Sequence, residues 1–218
     1  MSQLDHIESL KATTPAHRDE CLTVLREVYA AEKEWVQDDT HLFAESDLGS
    51  EAVSWFLVRF DGQPAGVVRV LYELPLDLYK DYGLKLLDGA GGINVEEFLA
   101  KNRIAEIGRF AVADAYRRKI LVAAALMRIA SHETVNRGFT HYVTDVFEGE
   151  EHSPLAFHRK VLGFQPVATH DHGEIDVAYR RITMLLDFAE AYRQFKKRNT
   201  FIHRFIAEGL SGVPGLQS

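Results

Sequence analysis

Apolar positions follow two rhythms along this chain, every second residue in some segments and steps of three and four in others, and the rhythms divide it into elements. The runs 53–60 (VSWFLVRF) and 65–72 (AGVVRVLY) are β-rich and flank Asp61-Gly62-Gln63-Pro64, a strong hairpin signal. Residues 104–112 and 139–147 read as further strands, 7–13 as a short first strand, and 165–186 as a closing ribbon with HDHGE (170–174) near its turn. Helical spacing begins at 16–35, where Cys21, Leu22, Leu25, Val28 and Tyr29 keep one face; Thr14 is the expected N-cap and Pro15 the first helical residue. A second helix is expected over 115–137, closed by Gly138 as C-cap, and a third over 153–162. Residues 187–208 predict a basic amphipathic helix with Phe188, Tyr192, Phe195, Ile202 and Ile206 on one face, before a frayed tail.

Two segments fit neither rhythm. Residues 36–52 are acidic and irregular, a loop or short helix. Residues 73–103 lack a strand pattern, carry the glycine cluster 89–92, and contain one short helix at 95–101. Loops of that length inside a domain are usually functional or disordered. No repeat or linker divides the chain. Strands, an early helix, a strand–helix–strand–helix centre and a closing ribbon predict a mixed α/β sheet with helices on both faces.

Composition narrows the classes. A chain of 218 residues with 46% hydrophobic and 26% charged side chains makes one moderately large domain, or a domain with an extension. The net charge of −7, from 25 basic and 32 acidic residues, argues against nucleic acid as a partner. No window approaches the ~18 unbroken apolar residues of a membrane span. The first residues, MSQLDHIESL, lack a signal peptide's plan, and the lone Cys21 fits a reducing compartment, so a cytoplasmic location is expected. Cys21 itself reads as a small buried hydrophobe.

Candidate chemistry sits mainly between residues 104 and 164. Arg117, Arg118 and Lys119 fall where a helix begins after a strand, and free N–H groups with three cations there favour a phosphate or pyrophosphate. Glu106 is an acid in an otherwise apolar strand; such a group needs a partner or a task, either proton acceptance or an ion pair with Arg69 or Arg109. His170-Asp171-His172 has no second ligand cluster at metal-site spacing, so no metal is expected. Gly89-Ala90-Gly91-Gly92 lacks the lysine and hydroxyl of a phosphate loop and reads as a hinge.

The strand Glu106-Ile107-Gly108-Arg109-Phe110-Ala111-Val112, the basic turn, the helix, the next strand and the helix closing on Gly163-Phe164 together resemble the acyl-donor half of the GNAT superfamily of N-acyltransferases. The resemblance implies an α/β fold with a mixed, mostly antiparallel central sheet flanked by helices. An insertion precedes the fourth strand, residues 1–186 form the GNAT-like domain, and 187–218 add an amphipathic helix and tail. It implies a pantetheine thioester, acyl-CoA by default, held between strands 104–112 and 139–147. Phe110, Ala111 and Val112 would bind the pantetheine, and Arg117, Arg118, Lys119 and Val122 would surround the pyrophosphate. In the family's Arg/Gln-x-x-Gly-x-Gly/Ala pattern Arg117 takes the first position, while Ile120 and Val122 stand where glycines are usual. Glu106 would be the base for a small-molecule amine acceptor. The family often has a tyrosine as general acid in the last helix; here His158 is the nearest proton carrier and Tyr142 the second candidate.

Gly66-Val67-Val68-Arg69-Val70, Leu74-Pro75-Leu76 and Glu106–Phe110 resemble one branch more closely, that of acyl-homoserine-lactone synthases and bacterial N-acyl amino acid synthases. That branch implies acyl carrier protein as the donor, presenting phosphopantetheine without the nucleotide and so relaxing the need for the glycines. Arg69 and Arg109 then become substrate-binding candidates. The competing class is a non-catalytic GNAT-like module whose C-terminal helix serves a partner, a homodimer contact or a membrane surface.

Overall fold

The computed structural model describes residues 3–36, 38–73, 83–88, 94–172 and 179–212. Leu74-Pro75-Leu76, the glycine cluster 89–92, the end of the HDHGE string and the last residues of the tail lie outside them.

Asp61 and Gly62 both take positive φ (52° and 76°), the twist a two-residue connection between right-twisted strands requires. They fold β2 (Val53–Phe60) onto β3 (Gln63–Leu71), and β1 (Ile7–Lys11) pairs with the other edge of β2. Thr14 caps α1 (Pro15–Leu25) by accepting from the His17 amide at 3.2 Å. The first predicted helix then changes character: Arg26–Glu32 is π-helical, a widening that periodicity over short windows does not register. The acidic segment forms the single-turn α2 (Asp39–Leu42) and a 3₁₀ turn, Glu45–Asp47.

Within the insertion, α3 (Val95–Lys101) lies where expected, capped by Asn94. The two-residue β4 (Lys85–Leu86) was not expected, being too short for alternation to reveal. Next come β5 (Ile104–Val112), a 3₁₀ turn at Asp114–Tyr116, α4 (Ile120–Asn136) and β6 (His141–Phe147). A closing helix α5 (Leu155–Phe157) runs on as a π-helical turn, His158–Leu162, and ends at left-handed Gly163. It leads into β7 (Gln165–His170) and β8 (Arg181–Asp187).

Among the described residues the sheet has the order β1-β2-β3-β5-β6-β8-β7-β4. Its pairs are antiparallel except β5 with β6. That mixed, mostly antiparallel sheet flanked by helices is the GNAT-like fold the motif order implied.

One apolar cluster lies between the sheet and α4, with Val68, Val70, Ile107, Val122, Leu126 and Tyr142 among its buried members. The other lies under α1, around Leu22, Leu25, Trp55 and Leu57. Cys21 is fully buried there, and burial pushes its thiol up to about 12, so it behaves as a hydrophobe.

The basic C-terminal helix is two helices, α6 (Phe188–Arg198) and α7 (Phe201–Ala207). Asn199 turns left-handed (φ 49°) and Thr200 starts α7 by accepting from the His203 amide. This local cap chemistry interrupts a face that remains apolar across the break. Phe188, Phe195, Ile206 and Leu210 are buried in the same cluster as α4, so the core takes up most of the face a partner or lipid surface would need. At Gly209 a Cβ would stand 2.3 Å from the Arg128 carbonyl oxygen, so only glycine lets this segment approach α4 so closely.

Candidate active site

β5 and β6 pair only from Ile104, Ala105 and Glu106 to His141, Tyr142 and Val143. Beyond that point β5 stays on β3 and β6 on β8, so the two strands part. A β-bulge sharpens the split. Between the pairs Val67↔Ala111 and Arg69↔Gly108, β5 carries one residue more than β3, and Arg109 there takes a left-handed φ of 50°.

The Ala113 amide donates to Ala65 on β3 at 3.0 Å. Amides alternate sides along a regular strand, so that of Val112, beyond the bulge, faces the split. Val112 also turns its carbonyl that way, accepting from Arg117 Nε at 3.3 Å. Between the parted strands lies a cavity of about 550 Å³ lined by residues 108–112 of β5, 144–147 of β6, the start of α4, the α5 turn and the end of α1. A backbone donor aimed into a largely apolar slot suits a polarised carbonyl.

Of the residues singled out from the sequence, Phe110, Ala111, Val112, Arg109, Arg117 and His158 line this cavity. Arg109 is buried, donates to the His41 carbonyl at 3.2 Å and lies over the Tyr29 ring. Glu106 stands just behind the split, with Arg69 Nη2 at 3.3 Å from its Oε1. Of the ion pairs considered for it, the one with Arg69 is present. Between Glu106 and the cavity is Gly108, whose missing side chain keeps that approach open.

The basic turn is more engaged than its charge suggests. Arg117 pairs with Glu32, from the π-helical end of α1, and with Asp114 at 3.5 Å. Lys119 is the N-cap of α4 and lies over the Phe60 ring at 4.4 Å, while Arg118 is exposed. Of the two side chains at glycine positions, Ile120 is exposed at the cavity's edge. Val122 points into the core, beneath Gly66, and its amide is spent on the Lys119 carbonyl at 2.9 Å. Its side chain therefore does not crowd a phosphate cradle.

Neither proton-donor candidate is well placed to donate. Tyr142 is fully buried on the α4 side, its hydroxyl 2.6 Å from Thr134 Oγ1, and burial drives its pKa well above the usual phenol value. Its surroundings are those of a packing residue, with the Phe188 ring edge-on at 4.8 Å. His158 is buried too, and burial lowers its pKa to about 4 despite the Pro154 carbonyl, which accepts from Nδ1 at 2.9 Å. At neutral pH it is an uncharged imidazole with its proton already committed.

Sequence reasoning passed over Asp145, an acid in the apolar strand HYVTDVF that lines the cavity. Like Glu106, it is an acid in an otherwise apolar strand. Of the His170-Asp171-His172 string, His170 is buried, 3.0 Å from Asp145. A helical turn separates these residues in sequence and β8 lies between them in the sheet, a meeting no local pattern reveals. Among the described residues no three histidine, cysteine or carboxylate side chains gather as a metal set, and no helix is long and apolar enough to cross a membrane.

A model of the FeeM family, N-acyl amino acid synthase, matches residues 20–174. Among solved structures, FeeM, an N-acyl amino acid synthase from uncultured soil microbes, is similar with a TM-score of 0.64 at 17% identity, covering 91% of this chain and 97% of that one. An aminoglycoside 6′-acetyltransferase type Ii gives 0.57 at 14% identity, over 83% of this chain and 96% of that one. An aminoglycoside 6′-N-acetyltransferase complexed with coenzyme A gives 0.55 at 14%, with the same coverage. No curated protein matches the chain.

Proposed function

The chain belongs to the FeeM family of N-acyl amino acid synthases and is a GNAT-fold N-acyltransferase; we propose that it moves an acyl group from a pantetheine thioester to the amine of an amino acid by direct attack. The observation that carries this reading is the parting of β5 and β6 around a cavity of about 550 Å³ lined by Gly108 to Val112 of β5. A pantetheine arm laid along β5 would hydrogen-bond there and present its thioester carbonyl within the same cavity. The amine nitrogen attacks the carbonyl carbon, the C–N bond forms, the C–S bond breaks, and the sulfur leaves as a thiolate. The proton shed by nitrogen passes to a carboxylate, for which Glu106 behind Gly108 is our candidate. Much of the rate gain comes from holding the two reactants together.

Either acyl-CoA or acyl carrier protein supplies such a thioester. Two observations favour the carrier protein. Arg117, which resemblance placed at the nucleotide's pyrophosphate, is already neutralised by Glu32. Exposed cations also cluster near the cavity on the α5 side: Arg159 and Lys160 end α5, Lys196, Lys197 and Arg198 end α6, and Arg198 donates to the Lys160 carbonyl at 2.6 Å. On a chain of net charge −7 such a cluster suits an acidic partner.

The test is a transfer assay with acetyl-CoA, long-chain acyl-CoA and long-chain acyl carrier protein against the proteinogenic amino acids, read by mass spectrometry for the amide. We expect a long-chain N-acyl amino acid, formed fastest from the carrier protein, and a loss of ~10²- to 10⁴-fold in turnover in Glu106→Gln. No amide from any donor would overturn the reading. Unchanged turnover in Glu106→Gln would remove Glu106 as the base.

A further inference from the structure

The chemistry above gives no role to Asp145 at the cavity or to its partner His170. His170, near the end of β7, is buried, yet its Nε2 reaches across β8 to within 3.0 Å of Asp145 Oδ1 on β6. Its Nδ1 donates to the His172 carbonyl at 2.5 Å. Both ring nitrogens thus face oxygen acceptors, which only the doubly protonated imidazolium satisfies. Burial works against that charge, but the Asp145 carboxylate and the His172 carbonyl outweigh it, and the pKa of His170 is raised.

Asp145 differs from its partner in exposure. Its side chain is 27% accessible, and it lines the cavity. Alternation along β6 puts it on the same face as Phe147, whose ring meets Trp35 edge-on at 4.6 Å. That is the α1 side of the sheet, where Arg109 also lies, on the far side of the split. A carboxylate has acceptor positions for several donors. His170 engages Oδ1 and fixes the group's orientation without closing off the cavity.

We propose that Asp145 receives the ammonium group of the acceptor, and that His170 is the positioning residue that holds Asp145 toward the parted strands. This rests on the N-acyltransferase reading and adds to it a division of labour between two carboxylates. Asp145 binds the acceptor at the cavity wall, and Glu106 takes the proton from behind Gly108. Arg109 across the split supplies the opposite charge, so the pair suits a zwitterion such as a free amino acid.

The experiment is steady-state kinetics of wild type, Asp145→Asn, Asp145→Glu, His170→Ala and His170→Gln. The donor is long-chain acyl carrier protein, and the acceptor is the amino acid turned over fastest by wild type, run beside its primary amide. Asp145→Asn keeps the shape and removes the charge. The acceptor KM should rise about 10- to 100-fold, equally for the acid and the amide because both carry the ammonium, while the donor KM stays at the wild-type value. Asp145→Glu should restore part of the loss. His170→Ala should raise the same KM, and His170→Gln, which can still donate to Asp145, should recover part of it.

Retained donor-induced thermal stabilisation shows that each variant is folded. An unchanged acceptor KM in Asp145→Asn overturns the assignment while leaving the N-acyltransferase reading intact. An equal loss in donor and acceptor KM overturns it as well, since that marks general disruption of the cavity. A wild-type enzyme that acylates no amine overturns the functional reading, and this one with it.

Discussion

A Cβ placed on Gly108 would come to 3.3 Å from Oε1 of Glu106 and 3.7 Å from Nη2 of Arg69. The missing side chain is what leaves the Glu106 carboxylate a path to the cavity, and the Arg69 contact limits how far that carboxylate can swing aside. Gly108→Ala should therefore lower kcat by roughly 10-fold or more with little change in donor affinity, since small misplacements of a reacting group cost rate steeply. Turnover measured beside a donor-binding isotherm checks this; wild-type kcat would mean that the carboxylate does not work through that gap.

Glu32 pairs with Arg117 at the edge of the cavity. Freeing the arginine with Glu32→Gln should tighten coenzyme A binding about fivefold, the worth of roughly 1 kcal/mol. Acyl carrier protein, whose pantetheine has no nucleotide pyrophosphate, should bind as before. Calorimetric titration of both ligands reads the difference. Equal effects on the two would show that Arg117 does not distinguish the carriers.

His158 carries a pH signature. Burial depresses its folded pKa to about 4 from the usual 6.5, so the folded state binds fewer protons than the unfolded chain between those values. Its contribution to stability is complete above pH 6.5 and is lost as the pH falls through 6.5 toward 4, amounting to roughly 3 kcal/mol over that window. His158→Gln lacks this titration. Urea midpoints at pH 7.5 and 4.5 should thus fall further for wild type than for the variant. A parallel fall would show that the imidazole is solvated rather than buried.

Much of the frame was readable from short patterns. β2 and β5 occupy the predicted residues, Thr14 caps the helix it precedes, and the Asp61-Gly62 hairpin forms. These features depend on neighbours a few residues apart, and local backbone chemistry settles them. That Arg109, Phe110 and Val112 lie together at the cavity was legible because one strand carries them all. The break at Asn199 and the π-helical turns at Arg26–Glu32 and His158–Leu162 were not, because each keeps the apolar face while altering the backbone beneath it.

By itself the sequence determined the order of the longer elements, the apolar faces and the acid in the strand 104–112. Only the tertiary structure decided which charges meet. It set Glu32 against Arg117, put Val122 and Tyr142 in the core, and brought His170 across a strand to Asp145. Strand order and register fix those meetings, and they arise from burying two apolar faces at once, a condition the whole chain satisfies and no short segment can express.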